Sequence, residues 1–310
     1  MAPANKSLPR IDAFSLVTPG PENYRGGYGA VHPADDGYIA AREKGMNKWG
    51  IFIYIDCDMK KIIFLLVLLF TGVPPCLGHP KKPMRVLVLA DSGGGHILFS
   101  QRGHVWLEQE LNKDHRFVFD YITSPDVIND SLLALYPLFI QLDYPPYPWT
   151  AVAQAAMEKY ISQGLGGWIG FHHPTLLGVF DGYPMWQWFS DFMGGIQFKA
   201  HIPGGATAQL TVEMPKHPVM KGVPTTFMTK DEWYIYDKSP RPQVQVLASI
   251  DEATYQPAKD VKMGDHPVIW TNAHVKARNL YIAMGHFPEL FDDPAFTTIF
   301  RNAVYWAARQ

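Results

Sequence analysis

The chemically most informative stretch of the chain is a short apolar run that ends abruptly in two histidines and a proline. Residues 166–171 read Gly-Gly-Trp-Ile-Gly-Phe, and His172, His173 and Pro174 follow directly. A buried parallel strand that delivers side chains to its carboxyl end has this pattern. Because ligands bind at that edge of open α/β sheets, we predict that the histidine pair lies in the functional site.

Other titratable side chains follow predicted strands, so they are expected at the same edge of the sheet. Histidine titrates near neutrality, and its neutral imidazole is a common zinc ligand. One interpretation is a site for a divalent metal such as zinc, with a carboxylate and four histidine ligands: His96, His172, His201 and His286. The other is a metal-free acid/base pair in which His172 or His173 works with Glu232. No His-Glu-x-x-His motif decides between them.

Four further residues are predicted to contact substrate. Asp143 follows the third predicted strand and is therefore expected at the same sheet edge. Trp186, Trp233 and Tyr234 are predicted to lie against a sugar ring, since aromatic faces stack well on apolar ring surfaces. Tryptophans also fill protein cores, and a core position is the alternative for both indoles.

Composition excludes several classes of function. The 310-residue chain has a net charge of -2 and no basic block, so nucleic acid is not an expected partner. Its two cysteines, Cys57 and Cys76, lie before the predicted domain. A disulfide framework, a cysteine zinc site and a cysteine nucleophile are therefore not expected in that domain.

Residues 59–78 have the pattern of a secretory signal peptide. Met59 and two lysines precede a short apolar run, and small residues lead to an exit at Gly78. The run is too short for a stable membrane span, although a lipid anchor at Cys76 is an alternative to plain cleavage. Residues 1–58 are expected to be a disordered upstream extension, either an unused translation start or a true extension. The working protein is then residues 79–310, a single domain exported to the periplasm or the extracellular space.

The elements that must position these residues alternate between strands and helices. Continuous apolar runs predict four strands, at 84–90, 116–122, 135–142 and 166–171. Apolar residues at helical spacing predict helices at 97–112 and 149–163. The alternation indicates a parallel, multiply wound sheet. The glycine-rich turn at 91–95 matches neither dinucleotide-binding nor P-loop spacing, so no nucleotide site is predicted there.

The second half of the chain has a different pattern. A short aromatic helix is predicted from 183 to Gly194, and then period-2 segments indicate strands at 208–213, 233–236 and 244–248. A final strand pair at 267–270 and 279–283 precedes a helix at 294–308. We therefore predict a β-rich extension that lengthens the sheet or covers its edge.

Over residues 84–308 the chain resembles the ThuA-like (trehalose utilisation) family. The resemblance rests on the order and spacing of seven motifs: 170–173, 193–195 with Phe198 and His201 beyond it, 217–224, 231–234, 265–270, 285–289 and 305–308. It implies a class I glutamine amidotransferase-like, flavodoxin-like fold, in which a mostly parallel sheet is flanked by helices. It also implies a role in the breakdown of sugars or glycosides.

One departure from the amidotransferase pattern bears on the chemistry. Amidotransferases carry a cysteine nucleophile at the strand-to-helix elbow, and His172 stands at that place here, so glutaminase activity is not expected. We expect an exported hydrolase or isomerase of carbohydrate catabolism that acts on a glycoside or an oxidised (keto) sugar in a histidine-rich cleft. The alternatives are a non-catalytic carbohydrate-binding protein whose aromatic residues carry the affinity, and a scaffold that assembles with a partner.

Overall fold

The computed structural model describes residues 82–90 and 96–308. The predictions for residues 1–58, for the signal peptide at 59–78 with Cys76, and for the glycine-rich turn at 91–95 lie outside the described residues. Among the described residues, no helix combines the length and the apolar character that crossing a bilayer requires.

Nine strands of the described chain form one sheet, and two more form a small separate sheet. The strands are β1 (Met84–Ala90), β2 (Phe117–Ile122), β3 (Leu138–Leu142), β4 (Gly167–Phe171), β5 (Phe198–His201), β6 (Ala206–Val212), β7 (Thr226–Asp231), β8 (Tyr234–Tyr236), β9 (Gln245–Gln256), β10 (Pro267–Thr271) and β11 (Asn279–Ile282). The helices are α1 (Ile97–Trp106), α2 (Asp130–Leu133), α3 (Ala151–Gln163), α4 (Gln187–Phe192) and α5 (Pro294–Ala307), and α1 continues as a wider helical turn over Leu107–Leu111.

The strand order of the large sheet is β2-β1-β3-β4-β11-β10-β9-β6-β7. The first five strands in this order are parallel, and their arrangement is the 2-1-3-4-5 order of flavodoxin-like folds. The predicted flavodoxin-like arrangement of parallel strands flanked by helices is therefore confirmed. The other four strands are antiparallel and form the predicted β-rich extension.

The structure corrects three details of the predicted elements. The third strand begins at Leu138 rather than at residue 135, because α2 and the turn after it occupy the preceding residues. Strand β7 was not predicted, since it lies at the edge of the sheet and its mixed polar sequence leaves alternate residues exposed. Strand β5 was not predicted either, because its four residues are too few to show a period.

Strand β4 lies in the middle of the parallel region, and all five of its residues are buried. Helix α5 packs against it, and Gly167 permits the contact. A Cβ atom at Gly167 would overlap the carbonyl oxygen of Ala307, near the end of α5. The absence of a side chain at this position therefore sets how closely α5 approaches the strand that leads to His172.

We expect Gly167→Ala to destabilise the protein by about 1–3 kcal/mol, because the added methyl group must displace backbone rather than a flexible side chain. Urea unfolding measures the change. Ser162→Ala, on an exposed position of α3, is the matched control and should change stability by less than about 0.5 kcal/mol. An unchanged unfolding midpoint for Gly167→Ala would show that α5 can move away at little cost.

Candidate functional site

The ends of three parallel strands, the start of α1 and the connection between β7 and β8 bring six predicted site residues together. Asp143 follows β3, while His172 and His173 follow β4. His96 immediately precedes α1, Glu232 lies between β7 and β8, and His286 follows β11. The six side chains form two overlapping groups that share one histidine: His96, His172, Glu232 and His286, and His96, Asp143 and His173.

The backbone turns sharply at His172. Its φ of 56° and ψ of −86° lie near the γ-turn region that is rare and strained for residues with a side chain. The hydroxyl groups of Tyr281 and Thr175 donate hydrogen bonds to its carbonyl oxygen, at 2.9 and 3.1 Å. Gly285 packs beside the turn, where a Cβ atom would lie only 2.7 Å from His172 Cβ. These contacts fix the direction in which the imidazole leaves the strand.

The imidazole of His172 is buried with one defined tautomer. Its Nδ1 lies 2.9 Å from the carbonyl oxygen of Ala283, which can only accept a hydrogen bond. Nδ1 therefore carries the proton, and Nε2 presents a lone pair. Nε2 makes no hydrogen bond with the described residues and lies 3.5 Å from Glu232 Oε2. Histidines that ligate metals are oriented in this way, by a hydrogen bond from the ring nitrogen that does not bind.

The first group has the donor types and spacing of a metal site. One ligand atom from each of its four residues lies within 4.8 Å of all the others. His286 Nδ1 lies 3.3 Å from Glu232 Oε2, close to the roughly 3.3–3.4 Å that separates donors around tetrahedral zinc. His96 Nε2 and His286 Nδ1 are closer, at 2.6 Å, and share a hydrogen bond. To bind one zinc ion, these two nitrogens would have to move apart by less than about 1 Å, from 2.6 Å to the roughly 3.3–3.4 Å of tetrahedral zinc ligands.

Asp231 holds the two loop segments of this group in register. Its carboxylate accepts hydrogen bonds from the backbone N–H of Glu232 at 2.6 Å, of Gly285 at 2.9 Å and of His286 at 3.3 Å. Asp231 is fully buried, and burial raises its pKa against the opposing effect of His172 and of these backbone donors. It cannot reach solvent, so its role is to orient the residues that can.

The electrostatics favour neutral imidazoles at His96 and His173 beside an ionised Glu232. Burial, reinforced by His172 and His286, lowers the pKa of His96 to about 3. Burial likewise lowers the pKa of His173 well below its ordinary value. Burial alone would raise the pKa of Glu232, but His172 and His286 lower it below its ordinary value. At His286 burial lowers the pKa, but the hydrogen bond and charge of Glu232 outweigh it and raise the pKa above its ordinary value, so this imidazole has to release a proton when it binds a metal. A deprotonated carboxylate and neutral histidines are the forms that bind metal ions.

The second group lies deeper. His173 Nδ1 is 3.0 Å from Asp143 Oδ1, and His96 Nδ1 is 3.8 Å from Asp143 Oδ2. The Asp143 side chain is fully buried, and those of His173 and His96 are 10% and 15% exposed. Asp143 has a φ of 60°, a left-handed conformation that aspartate tolerates better than most residues.

Three predicted site residues lie elsewhere than expected. His201, predicted as a metal ligand, is 45% exposed and lies at the entrance, with Nε2 3.6 Å from Glu232 Oε1. Trp233 is completely buried and donates to the carbonyl oxygen of Ala206. Trp186 is 6% exposed and bonds Glu158. Both indoles are therefore core residues and offer no open face to a sugar.

Tyr234, predicted to contact substrate, packs against His172, and its ring is buried. The Tyr234 ring centroid is 4.1 Å from that of His172. The hydroxyl groups of Thr175, Tyr236 and Tyr281 form a cluster behind the elbow that sequence reasoning missed, with the Thr175 oxygen 2.8 and 2.7 Å from the two tyrosine oxygens. They come from three separate segments with no common motif, so only the fold brings them together.

We expect His172→Gly to be more stable than His172→Ala by about 1 kcal/mol, because glycine adopts the strained backbone conformation without a Cβ penalty. Both substitutions remove the same buried ring, so their difference isolates the backbone. Chemical denaturation measures it. Ala155→Gly, at an exposed position inside α3, is the control and should lower stability by about 1 kcal/mol, the opposite sign. If alanine were the more stable residue at position 172, the elbow would not be strained.

Comparisons with known proteins identify the family and the fold. The ThuA family, described as trehalose utilisation, matches residues 85–307. A ThuA-like protein from Bacteroides uniformis ATCC 8492 is 29% identical, with a TM-score of 0.66 over 76% of this chain and 95% of that one. A ThuA-like protein from Parabacteroides merdae ATCC 43184 is 20% identical and shares the fold, with a TM-score of 0.55 over 73% and 90% of the two chains. None of the curated proteins matches. The chain belongs to the ThuA, or trehalose utilisation, family.

Proposed function

We propose that this chain is an enzyme of carbohydrate utilisation that binds a divalent metal, such as zinc, through His96, His172, Glu232 and His286. The substrate is a glycoside or an oxidised (keto) sugar, and the reaction is a hydrolysis or an isomerisation. The family description, trehalose utilisation, supports the substrate class. The export predicted from residues 59–78 stays a prediction.

The observation that carries the proposal is the environment of His172 Nε2. This nitrogen is buried, lacks a hydrogen bond among the described residues, and is held by its partner nitrogen with the lone pair toward Glu232. A buried polar atom normally has a partner. The neighbouring donors are of the types that zinc prefers, so the four residues fit a divalent metal.

A metal bound by these residues would supply Lewis-acid chemistry, which activates water or polarises a carbonyl group. The protein's own contribution is to hold the ligand residues in position. Asp231 keeps Glu232 and His286 in register through its backbone hydrogen bonds. The exposures of the His201 and His286 side chains, 45% and 22%, mean that a sugar arriving from solvent meets these two imidazoles first.

The metal-free alternative uses the same residues differently. His172 Nε2 and Glu232 Oε2 are 3.5 Å apart, which is long for a hydrogen bond but close enough to share a proton after a small movement. The alternative of a non-catalytic binding protein depended on aromatic platforms. That alternative has lost its support, because the indoles of Trp186 and Trp233 are buried.

We expect Glu232→Gln to lower zinc affinity at least tenfold and turnover at least about 100-fold, because the neutral amide keeps the shape but removes the negative charge. Elemental analysis after dialysis measures zinc. Chromatography of products from trehalose, from related disaccharides and from their keto derivatives measures turnover. His274→Ala, at an exposed position outside the site, is the matched control and should leave both unchanged.

The outcomes separate the two mechanisms. Suppose that turnover survives complete removal of metal by a chelator but is lost in Glu232→Gln. This result would support the metal-free acid/base mechanism and overturn the metal mechanism. A Glu232→Gln protein with normal zinc content and normal turnover would overturn the proposed site.

A further inference from the structure

The group formed by His96, Asp143 and His173 is not used by the proposed reaction. We propose that it is a second divalent-cation subsite, which makes the site a two-cation centre. The inference rests on the proposed function only in that the two subsites share His96. Either subsite can exist without the other.

The geometry of the group is that of ligands around a common point. One ligand atom from each residue lies within 4.8 Å of the other two. His173 Nδ1 and Asp143 Oδ1 are 3.0 Å apart, so a movement of roughly 0.3–0.4 Å would give them the spacing of donors around tetrahedral zinc. All three side chains are at least 85% buried. Solvent water therefore has little access to these donor atoms.

An ordinary ion pair or hydrogen bond explains this contact poorly. His173 Nδ1 and Asp143 Oδ1 are buried and only 3.0 Å apart, but this contact lacks the angles of a hydrogen bond. The ring nitrogen and the carboxylate oxygen are thus close without being aligned on each other. Two ligand atoms that both point toward an ion between them have this geometry, close together but not directed at each other.

The two ring nitrogens of His96 face different groups, so His96 would bridge two bound cations as an imidazolate, after its ring N–H proton has been released to solvent. Nε2 lies 2.6 Å from His286 Nδ1, in the first group. Nδ1 lies 3.8 Å from Asp143 Oδ2, in the second. The second subsite then offers two imidazole nitrogens and one carboxylate oxygen, a donor set that suits zinc better than calcium or magnesium.

The fold places the second group where two neighbouring strands end. Asp143 directly follows β3, and His173 lies two residues after the end of β4. These strands are hydrogen-bonded to each other. Asp143 was predicted to bind substrate, but its side chain is fully buried beneath the two histidines, which favours a ligand role over contact with a sugar.

The test is the zinc stoichiometry of the full chain after dialysis at a free zinc concentration that just saturates the unmodified protein. We expect two zinc ions per chain in the unmodified protein, one in Asp143→Asn, one in Glu232→Gln and two in the control His274→Ala. Asparagine tolerates the left-handed backbone of position 143, so the variant should fold. If circular dichroism shows that it does not, His173→Gln takes its place with the same expected count.

The outcomes distinguish this inference from the proposed function. One zinc ion that Glu232→Gln loses and Asp143→Asn keeps would overturn the second subsite and leave the proposed function intact. One zinc ion with the reverse dependence would support the subsite and overturn the metal of the proposed function. A protein that binds no zinc would overturn both.

Discussion

The backbone conformation of His172 is the constraint on which the site depends. A residue with a side chain at φ 56° costs about 1–3 kcal/mol, so the surrounding structure must hold it there. Gly285 leaves the space that the turn needs, and two hydroxyl groups bond its carbonyl oxygen. The turn at His172 is therefore a positioning device that directs its imidazole into the site.

Two adjacent carboxylates in the site have separate tasks. Asp231 is fully buried, and its carboxylate oxygens accept hydrogen bonds from backbone N–H groups. Glu232 points the other way, toward the rings of His172, His201 and His286. Their opposite pKa shifts follow from this difference, since burial dominates for Asp231 and the neighbouring histidines dominate for Glu232. Neighbouring groups whose environments push their pKa values apart are typical of functional sites.

The sequence predicted the parallel core because those strands are buried on both faces and are therefore unbroken apolar runs. It predicted that histidines at strand ends lie close together, because the carboxyl ends of parallel strands all lie at one edge of such a sheet. It could not place His201, since β5 belongs to the small sheet with β8 rather than to the main one. It could not distinguish a core position from a sugar platform for Trp233 either, because burial depends on distant segments such as Ala206.

The central position of β11 has a consequence for the order of events during synthesis. This strand is the last in the chain, yet it lies between β4 and β10, parallel to the first and antiparallel to the second. In the native sheet the strands made early thus join the strands made later only through β11, which is made after both groups. His286 follows β11, so the histidines at 96, 172 and 173 are synthesised before the strand that brings His286 beside them.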